Sequence, residues 1–329
     1  MTARDVARAA GVSQPTVSQV LTGNPGARVA AETRARVLAA AESLGYRPNL
    51  LAQALKQRRS YALGVIIPDV RNPFYADVVT GVERVAAEGG YAVLLCETRE
   101  TPVERHLEAL RARWIDGVII DATGAADLAP EAVGDTNVVL VGEPSERLPW
   151  VSSDVTAAGR LAAEHLLSLG HRELAFMGPA SALYRFHMRE RGFVRTLATA
   201  GVELRSEWLR RGPATAAGGL REMRALLGQA QRPSAVFCAN DLMAVGALKA
   251  CAQAGVMVPN EISIMGCDDI ELAVLVTPEL TTVHVPARES GARAARLLLS
   301  LLAGKRPPRG GAKLLRVRLV ARGSTAAAR

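Results

Sequence analysis

Cysteine is scarce in this chain. Cys96, Cys238, Cys251 and Cys267 are the four present among 329 residues. No two form a C-x-x-C pair and their gaps fit no zinc-ligand spacing, which argues against a disulfide-stapled fold and a cysteine-built metal site. The five histidines form no His-x-x-x-His or His-Cys cluster. A phosphate-cradling loop is missing too: Gly304-Lys305 runs into Arg306-Pro307 where Ser or Thr would be needed. No serine occupies a nucleophile elbow. Asp268 and Asp269 are adjacent, so they cannot both face one pocket as a hydrolase pair. No apolar run is long enough to span a bilayer, and Met-Thr-Ala-Arg-Asp carries no secretory pattern. These gaps lead to the expectation of a cytoplasmic, non-enzymatic globular protein with reduced cysteines in its core, no metal and no cofactor.

What is present is a basic head. The net charge is +8, and nine basic against three acidic residues put +6 of it in residues 1–60, leaving +2 for the other 269. A cationic end on a near-neutral body suits a polyanion contact there.

Thr2-Ala3-Arg4-Asp5 has capping-box spacing, in which the Thr hydroxyl would take the Asp5 amide and the carboxylate the Thr2 amide. Val6, Ala9 and Ala10 give a first helix its apolar face, and Gly11 ends it. Ser13 then caps a second helix with Pro15 in its first turn. Val17, Val20 and Leu21 face inward at i, i+3 and i+4. Gln14, Thr16, Ser18 and Gln19 are left outside, all uncharged hydrogen-bonding side chains. Two helices about a tight glycine turn read as a helix-turn-helix, whose second helix enters the DNA major groove. Gly23-Asn24-Pro25-Gly26 is a turn. A third helix is expected over Glu32–Leu44, with Val37, Leu38, Ala41 and Leu44 on one face, an uncapped start at Ala30-Ala31, and Gly45 closing it. The stretch Tyr46–Lys56 has helical spacing at Leu51 and Leu55 but only about two turns, too short to be stable alone. Ala52 would allow close approach to a groove floor, and Leu55 is suited to wedge between base steps.

These ordered motifs resemble the lactose-repressor (LacI/GalR) family of bacterial transcription regulators. They run Asp5-Val6-Ala7…Gly11-Val12-Ser13-x-x-Thr16-Val17-Ser18-x-Val20-Leu21, then Glu32-Thr33-Arg34-x-x-Val37, then Gly45-Tyr46-x-Pro48-Asn49-x-x-Ala52-x-x-Leu55. The resemblance implies that Gln14, Pro15 and Gln19 read operator bases, that Thr16 and Ser18 hold phosphates, and that Asn49, Ala52 and Leu55 form the DNA-facing set of a hinge helix. Pro15 lacks a donor and can offer only apolar contact. The turn at 22–29 is longer than in the shortest family members.

Beyond residue 60, apolar runs at Ala62–Ile67, Ala92–Cys96, Gly117–Ile120, Val138–Val141, Leu174–Met177, Ala235–Cys238 and Ile262–Met265 alternate with helical stretches such as Tyr75–Glu88, Glu104–Arg113, Ala157–Leu169 and Leu242–Ala254. Short apolar strands alternating with helices predict parallel sheets, here two Rossmann-like subdomains. Ligands bind beyond the C-terminal ends of such strands. Asp69, Arg71, Asn72 and Phe74, then Glu97, Asp121, Asn240-Asp241 and Asp268-Asp269, all follow strands. Each carboxylate or amide is open to the plainer reading of a helix cap, foremost Asp121, and Asp241 evenly. Asn72-Pro73-Phe74-Tyr75 fits sugar stacking better.

The body is similar to the same family's effector domain through Pro68-Asp69…Asn72-Pro73-Phe74, Arg189-x-x-Gly192-Phe193, Asn240-Asp241-x-x-Ala244, Gly266-x-Asp268-Asp269 and Arg322-Gly323-Ser324-Thr325. This implies a periplasmic-binding-protein-like fold with Asn72, Phe74, Arg189, Asn240 and Asp268 at the effector, joined by Asp69 and Asp241 from their strand-end positions. Ser153-Asp154 departs from the family's acid-amide pair. The basic run Tyr184–Arg189 hints at an anionic effector.

The expected organisation is a helix-turn-helix domain at 1–47, a hinge helix and linker at 48–60, and an effector and dimerisation domain at 61–329. Within the last, one subdomain covers about 61–154 plus 286–313 and the other about 155–285 plus 314–329. The expected function is a ligand-responsive repressor of a carbohydrate-related operon. It would bind double-stranded pseudo-palindromic operator DNA as a homodimer, with a sugar, sugar acid, sugar phosphate or purine-like effector and no membrane partner. The alternatives are a solute-binding protein without DNA function and a regulator answering to a protein co-regulator. After Thr325 only four residues follow, too few for a tetramerising heptad bundle.

Overall fold

The structure, a computed structural model, describes residues 1–21, 29–46, 59–121, 125–180, 183–305 and 314–329. It divides into two compact units, Met1–Ser60 and Tyr61–Arg329. The Gly23–Gly26 turn and the hinge residues Asn49, Ala52 and Leu55 lie outside the described residues.

The first unit holds α1 (Ala3–Ala10), α2 (Gln14–Leu21) and α3 (Ala31–Ser43). At the start of α1, Asp5 Oδ2 accepts from both Thr2 N (2.8 Å) and Thr2 Oγ1 (2.9 Å). Both halves of the expected capping box are present, and the Thr2 hydroxyl also donates its proton to the Asp5 carboxylate. These bonds, the amide first, hold Asp5 below the usual carboxylate range. Gly11 adopts φ 62° and lets Val12 N reach back to Ala7 O at 3.0 Å. Val6, Ala7, Ala10, Val17, Val20, Val37, Ala40 and Ala41 form the core. Two inward assignments fail here. Ala9 is exposed and Ala7 is buried in its stead. Leu38 is 48% exposed, because α3 turns the Val37, Ala40, Ala41 stripe inward and Leu38 sits about 100° from Val37.

The second unit contains two parallel sheets. The first runs in the order β2 (Ala92–Glu97), β1 (Ala62–Ile67), β3 (Gly117–Ile120), β4 (Asn137–Val141), β5 (Trp150–Val151). The second runs β7 (Leu209–Gly212), β6 (Leu174–Pro179), β8 (Ala235–Cys238), β9 (Ser263–Met265). All pairings within both sheets are parallel. Central strands such as β3 and β8 are buried throughout, and the edge strand β2 is only partly so. Helices α4 (Pro73–Glu88), α5 (Val103–Arg111) and α6 (Pro130–Val133) belong to the first sheet. Those of the second are α7 (Val155–Ser168), α8 (Tyr184–Thr199), α9 (Ala216–Leu227), α10 (Asp241–Gln253) and α11 (Leu272–Leu275). β10 (Thr282–His284) leads into α12 (Ala287–Leu302), which returns to pack on α4, β3 and β4, and β11 (Arg318–Val320) then pairs antiparallel with β10. The C-terminal residues rejoin the second lobe, with Ile264 N donating to Ser324 O and Ala328 N to Leu169 O.

Three helix pairs meet through reciprocal glycines. A Cβ on Gly159 would strike Arg189 O, and one on Gly192 would strike Thr156 O, so α7 and α8 touch backbone to backbone. Gly81 and Gly291 join α4 to α12 likewise, and Gly219 and Gly246 join α9 to α10. Three cysteines are buried and Cys96 is half-buried; burial pushes all four thiols up, Cys251 to about 12, which leaves them poor nucleophiles.

Candidate functional site

Two sites emerge, one in each unit. In the head, Ser13 opens α2: its carbonyl accepts from Val17 N at 3.2 Å, and its hydroxyl lies 2.9 Å from Thr16 Oγ1. Pro15 sits in the first turn, where no amide partner is required. Val17 and Val20 anchor the inner face, while Gln14, Pro15, Ser18 and Gln19 are exposed together and Thr16 is half-exposed. The first turn of α2 thus offers an uncharged polar surface on a rigid three-helix base, the build of a helix that reads base edges.

In the body, the sheet orders place topological switch points between β1 and β3 and between β6 and β8, and the residues beyond these strands line a common cleft. A cavity of about 910 Å³ has Asp69, Asn72 and Tyr75 on one side and Leu183, Phe186, Arg211, Thr215 and Leu242 on the other. A second cavity of about 600 Å³ is bounded by Phe74, Asp268, Asp269 and His284. Two buried ion pairs pack against these walls as a charged floor, one over Phe74 and Tyr75 and the other through Asp268. Arg189, wholly buried, donates from Nη2 to Asp268 Oδ1 (2.7 Å) and from Nη1 to Ala239 O (2.6 Å), and its Nε has no partner among the described residues. One helical turn earlier, Arg185 donates to Asp121 Oδ1, and its guanidinium lies 5.1 Å from the Phe74 ring centre and 5.4 Å from that of Tyr75. Asp121 Oδ2 is buried without a partner among the described residues. Burial drives the Asp268 carboxyl upward, against the pull of Arg189. Burial also drives the Tyr75 phenol upward, so it stays neutral.

Asp268 stands at φ 130°, a conformation L residues rarely adopt. It is held there by its amide bond to Val283 O and by its carbonyl, which accepts from Val285 N. Asp269, also at positive φ, binds His284 Nδ1 (3.0 Å) and Arg322 Nη2 (2.6 Å), which hold its carboxyl down at about 2.

The sequence-derived candidates fall into groups. Phe74, Arg189 and Asp268 belong to the floor. Asn72 lines the cavity wall and caps α4, its Oδ1 accepting from Phe74 N. Asp69 stands at the mouth, paired with Arg71 at 2.6 Å and held at about 2 by that partner. Asn240 spends its side chain on its surroundings, accepting from Met243 N and donating to Ala214 O. Asp241 accepts from Ile270 N (2.9 Å) and Thr282 Oγ1 (2.6 Å), and burial pushes it up to about 7. Asp154 caps α7 through Ala157 N. Asp121, a strand-end candidate, and Arg185 stand outside the effector set expected from sequence. Asp121 read as a routine cap, and Arg185 read as part of a basic run. The available signal was that Arg185 lies four residues before Arg189, on the same helix face.

A helix-turn-helix head carried with a two-lobed α/β body defines the class of ligand-responsive DNA-binding regulators. Residues 2–49 match the bacterial regulatory proteins of the lacI family, and residues 163–325 match a periplasmic binding protein-like domain. The chain is 32% identical over 311 residues to the HTH-type transcriptional repressor PurR of Mannheimia succiniciproducens, covering 92% of each chain. It is 35% identical over 309 residues to the ribose operon repressor of Escherichia coli K12, covering 91% of this chain and 92% of that protein. A solved lac repressor dimer, bound to operator and the anti-inducer ONPF, superposes with a TM-score of 0.88 at 30% identity over 99% of both chains. The chain belongs to the LacI family, and it is a DNA-binding transcriptional regulator. No helix among the described residues is long and apolar enough to cross a membrane.

Proposed function

We propose that this protein is a cytoplasmic repressor without catalytic activity. It binds a pseudo-palindromic operator as a homodimer and answers to a small, uncharged polyhydroxyl effector held in the body cleft. The observation that carries the effector class is the balance of the floor. Two buried guanidinium groups face two buried carboxylates, Arg185 with Asp121 and Arg189 with Asp268. An anionic effector would add an uncompensated charge to a buried neutral set, which is costly. A hydroxyl instead supplies the donor and the acceptor that Asp121 Oδ2 and Arg189 Nε respectively lack among the described residues. The basic run Tyr184–Arg189 therefore loses its anionic implication once its arginines are paired. A purine would stack on Phe74, but the Arg185 guanidinium already occupies one face of that ring. In this reading Asn240 and Asp241 shape the wall, and Arg189, Asp268, Asn72 and Phe74 meet the effector. Gln14 and Gln19 read the operator, aided by Pro15, Thr16 and Ser18.

Coupling requires only that the effector bind the two states of the body unequally, typically by about 1–3 kcal/mol. A thermal-shift screen of neutral sugars, sugar acids, sugar phosphates and purines on the full chain tests the class. A neutral sugar that raises Tm and also changes operator affinity is the expected result. Stabilisation by anions alone would overturn the neutral class, and no stabilising compound in any class would favour a protein co-regulator.

A further inference from the structure

We propose that Arg185 and Asp121 form a latch across the cleft, holding the two lobes together so that an effector has to fit around or part an existing bridge. The inference rests on reading this cleft as the effector site. It follows from where each arginine of α8 spends its charge. Arg189 stays at home: its hydrogen-bond partners, Asp268 and Ala239 O, belong to the lobe of β6 to β9. Arg185, one turn away on the same helix, reaches over to the other lobe. Its carboxylate partner follows β3, and the rings beneath it, Phe74 and Tyr75, open α4. Gly142, just past β4, leaves the space it needs, since a Cβ there would overlap its guanidinium. Both members of the pair are more than nine-tenths buried. This is therefore not a surface ion pair of negligible worth; parting it strands an uncompensated charge. Specificity follows as well, because a compound too bulky to share the floor with this guanidinium is refused.

The test is amide hydrogen exchange on the full-length protein with no sugar added, comparing the parent with Arg185→Gln and with Asp121→Asn. The latch requires the cleft segments 68–75 and 183–186 to exchange faster in both variants, on the order of a hundredfold. The central strands β1 and β6 should keep their protection. Unchanged exchange in the cleft would overturn the latch. Equal acceleration in β1 and β6 would also overturn it, by making the pair an ordinary contact of the fold. Should Arg185→Gln fail to fold, Asp121→Asn decides alone, since it keeps the size and hydrogen-bonding capacity of the side chain. Because no sugar enters this experiment, its failure leaves the neutral-effector class standing, and failure of the sugar screen leaves the latch standing.

Discussion

Arg189 meets Asp268 through a single 2.7 Å bond, and the two ends of that bond are not equivalent. Burial works against the charge on the aspartate, which Arg189 sustains, whereas a guanidinium cannot give up its proton at any accessible pH. Removing the carboxylate therefore strands a charge, while removing the guanidinium leaves an acid that can take up a proton. Asp268→Ala should cost about 3–5 kcal/mol of stability and Arg189→Met distinctly less. Urea unfolding of both variants measures the order, and the reverse order would refute the argument. Both variants should lose any sugar-induced rise in Tm.

Asp241 ties the start of α10 to Ile270 and to Thr282 on β10. The folded chain keeps a proton on it up to about pH 7, against 3.8 for the ordinary group. Folding thus takes up a proton between these values, and the contribution of this group to stability falls as pH rises through that window. Asp241→Asn should flatten the decline in Tm between about pH 4 and pH 7, by an amount equivalent to a few kcal/mol at most. A slope unchanged from the parent would remove Asp241 as its source. The opposite behaviour belongs to Asp69 and Asp269. Both are held near 2, so their stabilisation is present above the ordinary 3.8 and is lost as pH falls towards 2.

Gln14 and Gln19 stand exposed on α2, with Val17 and Val20 fixing the helix beneath them. Each glutamine that bonds an adenine in bidentate fashion should contribute about 1–3 kcal/mol of discrimination. Fluorescence anisotropy with matched and mismatched duplexes should show Gln14→Ala and Gln19→Ala losing that margin. The dependence of binding on salt should stay as it was, since phosphate contacts set it. A changed salt slope with selectivity intact would point to phosphate contacts instead.

Gly192 and Gly228 offer a paired test of packing. A methyl at Gly192 would strike Thr156 O, whereas Gly228 ends α9 at φ −78° with no neighbour nearer than 3.5 Å. Gly192→Ala should destabilise by about 1–3 kcal/mol through overpacking. Gly228→Ala should stabilise by about 0.4–1 kcal/mol by narrowing the unfolded ensemble. Differential scanning calorimetry reads both.

The main architecture was legible because its strands are short, apolar and buried, so runs such as Ala62–Ile67, Gly117–Ile120 and Ala235–Cys238 mark β1, β3 and β8 to the residue. The strand β7 was not legible, since Leu209-Arg210-Arg211-Gly212 lies on a sheet edge and needs no apolar face. In the head, periodicity found the stripe of α2 but misjudged Ala9 and Leu38. An alanine-rich helix has several stripes of similar hydrophobicity, and tertiary contact chooses among them. At the cleft, strand-end logic located Asn72, Asp121 and Asp268. It could not separate a cap from a pocket residue, because both roles call for a short polar side chain at the same place. The partner of Asp121 lies 64 residues away, and only the folded chain shows that pairing.

The reciprocal glycines of the three helix pairs bear on how this body can change. Where backbone rests on backbone, the spacing of two helices does not depend on which side chains surround the contact. The helices that start at the cleft, after Asn72, Leu183, Thr215 and Asn240, are the ones held at this spacing. In such a chassis a first-turn side chain, Arg185 among them, can be exchanged without renegotiating the architecture.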